Sequence, residues 1–258
     1  MTRFEGLSVL ITGATGGFGR AAARRFAAEG ARLVLSDLDQ TKLDAQAAEL
    51  GGEVATLAGD VAKPQLHRDL VALARDRFGA LDVAVNNAGV ANPQRRLEDT
   101  PEDEVRWVIE IDLLAVFWAM AAQIPAMDTR KGGRGGAIVN ISSLAGIAGA
   151  PTLAAYVAAK HGVVGLTRTA AAENARRGIR VNAICPAFAR TPMVEKGLLG
   201  EAEPGREAEA EAHLVRGVPM RRLGTPDEVV EAMLFAASPG NGFMTGQTIA
   251  VDGGITAV

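Results

Sequence analysis

Tyr156, the only tyrosine in the chain, is followed four residues later by Lys160. On a helix, residues at i and i+4 share a face, so this phenol and this ammonium can act on one site. A phenol ordinarily has a pKa of about 10, and bringing it to about 7 takes roughly 4 kcal/mol of preferential stabilisation of the phenolate. A neighbouring cation supplies such stabilisation, which suits the pair to taking a proton from an alcohol or giving one to a carbonyl.

A second constellation lies near the N-terminus, where Thr12-Gly13-Ala14-Thr15-Gly16-Gly17-Phe18-Gly19 follows a buried-strand pattern and leads into a helix placed at about Gly19–Glu29. Glycines there allow a tight turn and close approach of the backbone to a pyrophosphate, and the next helix offers free N–H groups at its positive end. Asp37 lies twenty residues beyond Gly17, at the end of the next strand pattern. A carboxylate in that place accepts from the ribose hydroxyls of an adenosine and repels a 2′-phosphate. NAD is therefore expected over NADP, and Gly16 and Leu38 beside the site offer no positive charge to a phosphate. The nicotinamide charge of such a cofactor would add to that of Lys160.

The elements that must position these residues alternate along the chain. Strands are read at Ser8–Thr12, Arg32–Ser36, Val54–Leu57, Leu81–Asn86, Ala137–Ser142 and Arg180–Cys185. Helices are read at Thr41–Leu50, Pro64–Phe78, Leu153–Arg177 and, as one long or two consecutive helices, Pro101–Met127. Strands without polar alternation, each followed by a helix, predict an α/β fold: a Rossmann-like, doubly wound parallel sheet with helices on both faces. Residues 1–258 are read as a single dinucleotide-binding domain. The acidic, glycine-containing stretch Glu195–Arg216 breaks the composition and reads either as a solvated surface helix or as a lid over a pocket, at about residues 192–218.

These motifs resemble the short-chain dehydrogenases/reductases, and the resemblance runs from about Gly6 to Gly254. Thr12-Gly13-x-x-x-Gly17-x-Gly19 matches the family's cofactor loop, Asn86-Asn87-Ala88-Gly89 its strand-stabilising motif, and Tyr156-x-x-x-Lys160 its catalytic pair. Ser143, thirteen residues before Tyr156, stands at the family's usual distance for its serine, with Ser142 beside it as the competing hydroxyl. The resemblance implies that Ser143 binds the substrate oxygen, Tyr156 transfers the proton, and Lys160 holds the nicotinamide ribose and favours the phenolate. It further implies cofactor contacts from Gly13, Thr15, Gly17, Phe18, Gly19 and Asp37. Asp60 and Val61 would flank the adenine, Asn87 and Gly89 would lie along the cofactor, Thr191 would reach the carboxamide, and the Ala189 backbone would face the nicotinamide. The tail Phe243–Gly254 resembles the family's last strand, which implies a homotetramer or homodimer.

Two residues depart from the family pattern. Pro186-Ala187 replaces the usual Pro-Gly, which stiffens the loop and is expected to fill space near the nicotinamide. Asp112 stands where an asparagine usually holds a water in a proton relay. It can still accept from water, but its charge opposes phenolate formation unless Lys160 neutralises it, so Asp112 is expected to keep the relay and shift the pH optimum; a buried structural role is the alternative.

Other features narrow the function. With 27 Lys+Arg against 30 Asp+Glu and no basic stripe, nucleic acid is not an expected partner. A lone cysteine, Cys185, permits no internal disulfide and reads as a small core residue, consistent with a cytoplasmic protein. The N-terminus shows no run of signal-peptide type, and the uncharged stretch Gly135–Ala159 holds Asn140, Ser142, Ser143 and Pro151, so it reads as strand, loop and helix start rather than membrane. His67, His161 and His213 share no metal-ligand spacing, so no metal is expected. No Gly-x-Ser-x-Gly elbow occurs. Trp107, Phe117 and Trp118 could be core or interface.

The resulting expectation is an NAD-dependent oxidoreductase acting between a secondary alcohol and a ketone. The substrate walls are expected from Leu144, Ala145, Ala150–Leu153, Phe188, Met193, Val194 and Leu198, with Arg95, Arg96 or Arg190 as the only charged anchors in view. The alternatives are a 3-oxoacyl thioester (acyl-carrier) reductase, against which Asp37 speaks, and a dinucleotide-binding regulator without turnover.

Overall fold

Strand β1 (Ser8–Thr12) is buried along its whole length, with Val9 and Ile11 in one core and Leu10 in the other. Side chains alternate across a strand, so an uninterrupted apolar run needs cover on both faces. In the computed structural model, which describes residues 2–195 and 207–258, β1 is at the middle of a parallel sheet. The other strands are β2 (Arg32–Ser36), β3 (Val54–Thr56), β4 (Val83–Asn86), β5 (Gly136–Ile141), β6 (Ile179–Pro186) and β7 (Thr248–Val251); the order is β3-β2-β1-β4-β5-β6-β7, so β1 pairs with β2 and β4.

Helices α1 (Gly17–Ala28), α2 (Gln40–Leu50) and α9 (Pro226–Ala237) close one face, where Phe26, Leu43 and Met233 are fully buried. The other face is closed by α3 (Pro64–Phe78), α5 (Ala115–Met127) and α6 (Ala154–Asn174), through Leu70, Met120 and Val163. The strand order reverses between β1 and β4, and parallel register aligns Thr12 with Ser36 and Asn86 with Asn140. The strands' C-terminal ends thus meet at one edge, and a crevice opens beyond the reversal.

The stretch expected as one or two helices between Pro101 and Met127 is continuous but not uniform. Helix α4 (Glu102–Ile109) passes through a π-helical turn at Glu110–Leu114 into α5. The extra residue in that turn accommodates the buried Asp112, and such turns often occur at functional sites. Glu102–Met127 also contains a stretch long and apolar enough to cross a membrane, with a mean hydropathy of 1.6 over 18 residues. Here it packs along α3 and α6. The uncharged stretch Gly135–Ala159 forms β5, a turn at Leu144–Gly146 and the start of α6.

Most boundaries fall within one or two residues of expectation. Helix α1 starts at Gly17 rather than Gly19, and β4 starts at Val83 rather than Leu81, with the Asp82 carboxylate accepting from the Ser8 N–H and from Arg134. Beyond β6 come the single turn α7 (Pro192–Val194) and helix α8 (Glu207–Leu214). Leu198, Glu201 and Glu203, all within the expected lid, lie outside the described residues.

Candidate active site

The glycine loop, the ends of β2 and β4 and the turn after β6 enclose a cleft of about 360 Å³. Gly13, Thr15, Gly17 and Phe18 line it from the first strand–helix turn. Gly13 has φ +62°, and a Cβ there would meet Ala88 Cα at 2.8 Å; one on Gly17 would meet Thr191 at 2.8 Å. Gly19 is not part of the lining: a Cβ there would collide with the Gly13 carbonyl, so its contribution is to seat α1 against the loop. Helix α1 has no side-chain cap, which leaves its N-terminus with backbone donors for an anion.

Asp37 and Leu38 line the same cleft, with Asp60 and Val61 beside them. Asp37 Oδ2 accepts from Thr15 N at 2.9 Å and Thr15 Oγ1 at 2.7 Å, while Oδ1 accepts from Leu38 N at 2.8 Å. These bonds fix the carboxylate and tie the glycine loop to β2. Thr15 thus orients Asp37 as well as lining the cleft. Across the crevice, Asn87 Nδ2 donates to the Thr12 and Gly13 carbonyls at 2.9 and 3.1 Å, and Thr12 Oγ1 accepts from the backbone of Asn87 and Ala88. Asn87 therefore staples β4 to the loop while lining the cleft.

Tyr156 and Lys160 lie on α6 as predicted, with Nζ 5.4 Å from the phenol ring centroid. Lys160 is buried at 4% exposure and donates to the Ile141 carbonyl at 3.2 Å. A Cβ on Gly89 would lie 3.2 Å from Nζ, so a larger residue there would press on the ammonium. Asp112 Oδ1 accepts from Val90 N at 2.8 Å, and Oδ2 stands 3.1 Å from Nζ. The approach is too oblique for a directed hydrogen bond, so the pair is held by charge.

Burial raises the Asp112 carboxyl above the usual range, over the opposing charge of Lys160 and the Val90 N–H. Burial alone would lower the Lys160 pKa, but the charges of Asp112 and Tyr156 outweigh it and leave it raised. Both groups of the pair therefore hold a proton more tightly than they would in water.

The two serines separate cleanly. Ser142 is buried and donates to the Lys160 carbonyl at 2.9 Å, whereas Ser143 is half-buried and accepts from Ala145 N at 3.1 Å. Thr191 lines the cleft and caps α7 by accepting from Val194 N at 3.4 Å. Ala189 does not line it: 3% exposed, it borders a second cavity of about 380 Å³ together with Ala187 and Phe188. The backbone there is taken by pairing with Gly224, through Gly224 N to Phe188 O and Arg190 N to Gly224 O, so Ala189 props up Thr191 rather than lining the cofactor cleft. For the same reason Ala187 fills space behind the loop and not in the cleft.

All three candidate anchors are already paired: Arg95 with Glu104, Arg96 with Glu98, and Arg190 with Glu211 of α8. Of the expected walls, Met193 reaches the cleft, while Val194 packs with Val215, Val218 and Leu223. Cys185 is buried, and no His/Cys/Asp/Glu group suited to a metal occurs among the described residues. Sequence reasoning did not find the buried chain Gln123–Asn86–Asn140–Thr167 beneath the site. Its members lie far apart along the chain, and only their positions at strand ends or on inward helix faces hint at it.

The comparisons agree with this geometry. The family model described as Enoyl-(Acyl carrier protein) reductase matches residues 13–256. A cyclohexanol dehydrogenase of Acinetobacter sp. (strain SE19) is 38% identical over 99% of this chain and 97% of its own. The 3-oxoacyl-[acyl-carrier-protein] reductase of Thermotoga maritima is 38% identical over 98% of this chain and 99% of its own. Among solved structures, levodione reductase superposes with a TM-score of 0.92 at 36% identity, covering 99% of both chains. With its parallel sheet, its cleft at the strand-order reversal and full-length relatives of this kind, the chain belongs to the short-chain dehydrogenase/reductase family of nicotinamide-dinucleotide oxidoreductases.

Proposed function

We propose that this protein interconverts an uncharged secondary alcohol and its ketone, with NAD preferred over NADP. The observation that carries the reading is a single cleft lined by the fixed Asp37 carboxylate and by Gly89, against which Lys160 rests beside Tyr156. The residues present fit a dinucleotide: glycines stand where a Cβ would strike neighbouring atoms, an uncapped helix N-terminus is available to a pyrophosphate, and a carboxylate is available to ribose hydroxyls. When bound, the nicotinamide takes the hydride from the carbinol carbon or returns it.

The chain's own residues manage the proton and the geometry. Tyr156 takes the hydroxyl proton at its Oη in oxidation and gives it back in reduction. Ser143 Oγ donates to the substrate oxygen, for which its hydroxyl proton is available while Oγ accepts from Ala145 N. Lys160 binds the ribose and presents its charge to the phenol. Asp112 holds that ammonium and fixes the Val90 backbone, so in this reading it positions Lys160 rather than touching substrate. The paired arginines leave an apolar site, in keeping with the relatives named for cyclohexanol and levodione.

Fluorescence titration with NADH and NADPH in parallel tests the cofactor preference. NADH is expected to bind at least about tenfold more tightly, because one repulsive or unpaired charge contact is worth about 1.4 kcal/mol or more. Asp37→Ser is expected to narrow that ratio, and equal affinities in the unaltered protein would overturn the preference. The Thermotoga relative favours a second reading, reduction of a 3-oxoacyl thioester. Faster turnover of such a thioester than of any simple ketone would select it.

A further inference from the structure

His67 has no part in the chemistry above, yet it is titratable, 2% exposed and set behind the cofactor cleft. It stands on the first turns of α3, after Pro64. Its Nε2 lies 2.7 Å from the Val61 carbonyl oxygen. A carbonyl can only accept, so Nε2 carries the proton, and Nδ1 is the bare nitrogen of a neutral ring. Nδ1 is buried without a hydrogen-bond partner.

Several surroundings oppose a second proton there. Burial lowers the His67 pKa, the Val61 bond opposes that weakly, and the Arg68 charge adds to the lowering. The positive end of α3 acts in the same sense. Thr12 from β1, Asn86 and Ala88 at the end of β4, and Ala115, Val116 and Ala119 from α5 line a cavity of about 10 Å³ with Val61 and His67, and none of them titrates. The charged side chains of the flanking loop and helix are Asp60, Lys63 and Arg68, and Asp60 already accepts from Ala62 N at 2.9 Å.

What His67 holds is part of the cleft. Gly59, Asp60 and Val61 form the wall next to Asp37 and Leu38. Gly59 N donates to the Asp37 carbonyl at 2.9 Å, and a Cβ on Gly59 would lie 2.5 Å from Leu66 Cδ1. Consecutive α3 residues thus back the wall, Leu66 by contact and His67 by a hydrogen bond.

We propose that His67 is a positioning residue for the adenosine half of the dinucleotide: its Nε2–H fixes the Val61 carbonyl and with it the Gly59–Val61 wall, and the buried, unpartnered Nδ1 makes this packed arrangement one of the neutral imidazole. The inference rests on the cofactor reading of the cleft. A histidine whose pKa is lowered in the packed state stabilises that state fully above its ordinary value of about 6.5, and the stabilisation is lost as pH falls toward the lowered value. Binding that selects the packed wall therefore weakens below about pH 6.5, by up to about tenfold per pH unit.

ADP-ribose is the probe, since it carries the adenosine end without the nicotinamide ring. Calorimetric affinities from pH 5.5 to 8 would be compared for the unaltered protein, His67→Leu and His67→Gln. The unaltered protein should bind several-fold more weakly at pH 5.5 than at pH 8. His67→Leu, which lacks the donor, should bind at least about fivefold more weakly at pH 8; His67→Gln, whose amide can donate, should recover most of that loss and flatten the acid dependence. Nitrogen NMR of the cofactor-free protein should show a neutral, Nε2-protonated His67 that titrates below about 6.5. The same pH slope in all three proteins, or an Nδ1-protonated ring, overturns the inference. Failure of the unaltered protein to bind ADP-ribose, NADH or NADPH overturns the cofactor reading and this inference together; normal binding with indifferent His67 variants overturns this inference alone.

Discussion

The Lys160 ammonium is shared between Asp112 and the Ile141 carbonyl, and these contacts set where it can act. Its pKa is raised, so the charge on Lys160 is fully present below the ordinary lysine value of about 10.4 and is lost as pH rises through the raised one. Asp112→Asn removes the largest of the charges that oppose burial and leaves that of Tyr156. The alkaline limb of the kcat/KM profile should then move toward neutrality by about 1–3 pH units, the usual effect of one close opposite charge. A pH–rate series on both proteins checks this, and superimposable profiles would make Asp112 a structural residue only. At this scale the sequence was informative where spacing carries the chemistry, as for Tyr156 and Lys160. It could not separate Ser142 from Ser143 by residue type. That distinction depends on which hydroxyl turns inward to the Lys160 carbonyl, a contact made across the fold. His67 was legible only as a histidine without metal partners, because the carbonyl it binds is a backbone atom.

Elements carry a different kind of information. The apolar stretch ending at Met127 is visibly helical, but the π-helical turn at Glu110–Leu114 leaves no mark in residue type apart from the lone acid at its centre. The same helix exposes Trp107 and Phe117 at 44% and 45%, and Phe117 packs edge-on against Trp118. Large apolar side chains left exposed in this way mark a contact surface. We infer that a second copy of the chain covers this face. Light scattering should give a mass that is a multiple of 26.8 kDa, and Trp107→Glu with Phe117→Glu should lower it. A monomeric unaltered protein would contradict this. The loop after β6 shows the opposite limit. Thr191 lines the cleft, whereas Ala189 borders the neighbouring cavity and pairs with Gly224, a contact made across the fold.

For the molecule as a whole, the alternation of strands and helices was enough to give a doubly wound parallel sheet. The reversal of strand order between β1 and β4 then brings the ends of several strands to one crevice. Glycine loop, acid and tyrosine–lysine pair are far apart in sequence and useful only because of that topology. The cavity behind Ala187 and the pairing of every candidate arginine anchor depend on tertiary packing and were not legible. The central claim is that Tyr156 moves a proton between solvent-excluded substrate and protein while NAD is reduced. Its most direct test is the initial rate of absorbance gain at 340 nm with NAD and a panel of uncharged secondary alcohols, for the unaltered protein and Tyr156→Phe. The account predicts turnover that the variant loses by about 10²–10⁴-fold, the usual range for general acid–base catalysis, while still binding NADH. Equal rates in the two proteins would contradict it.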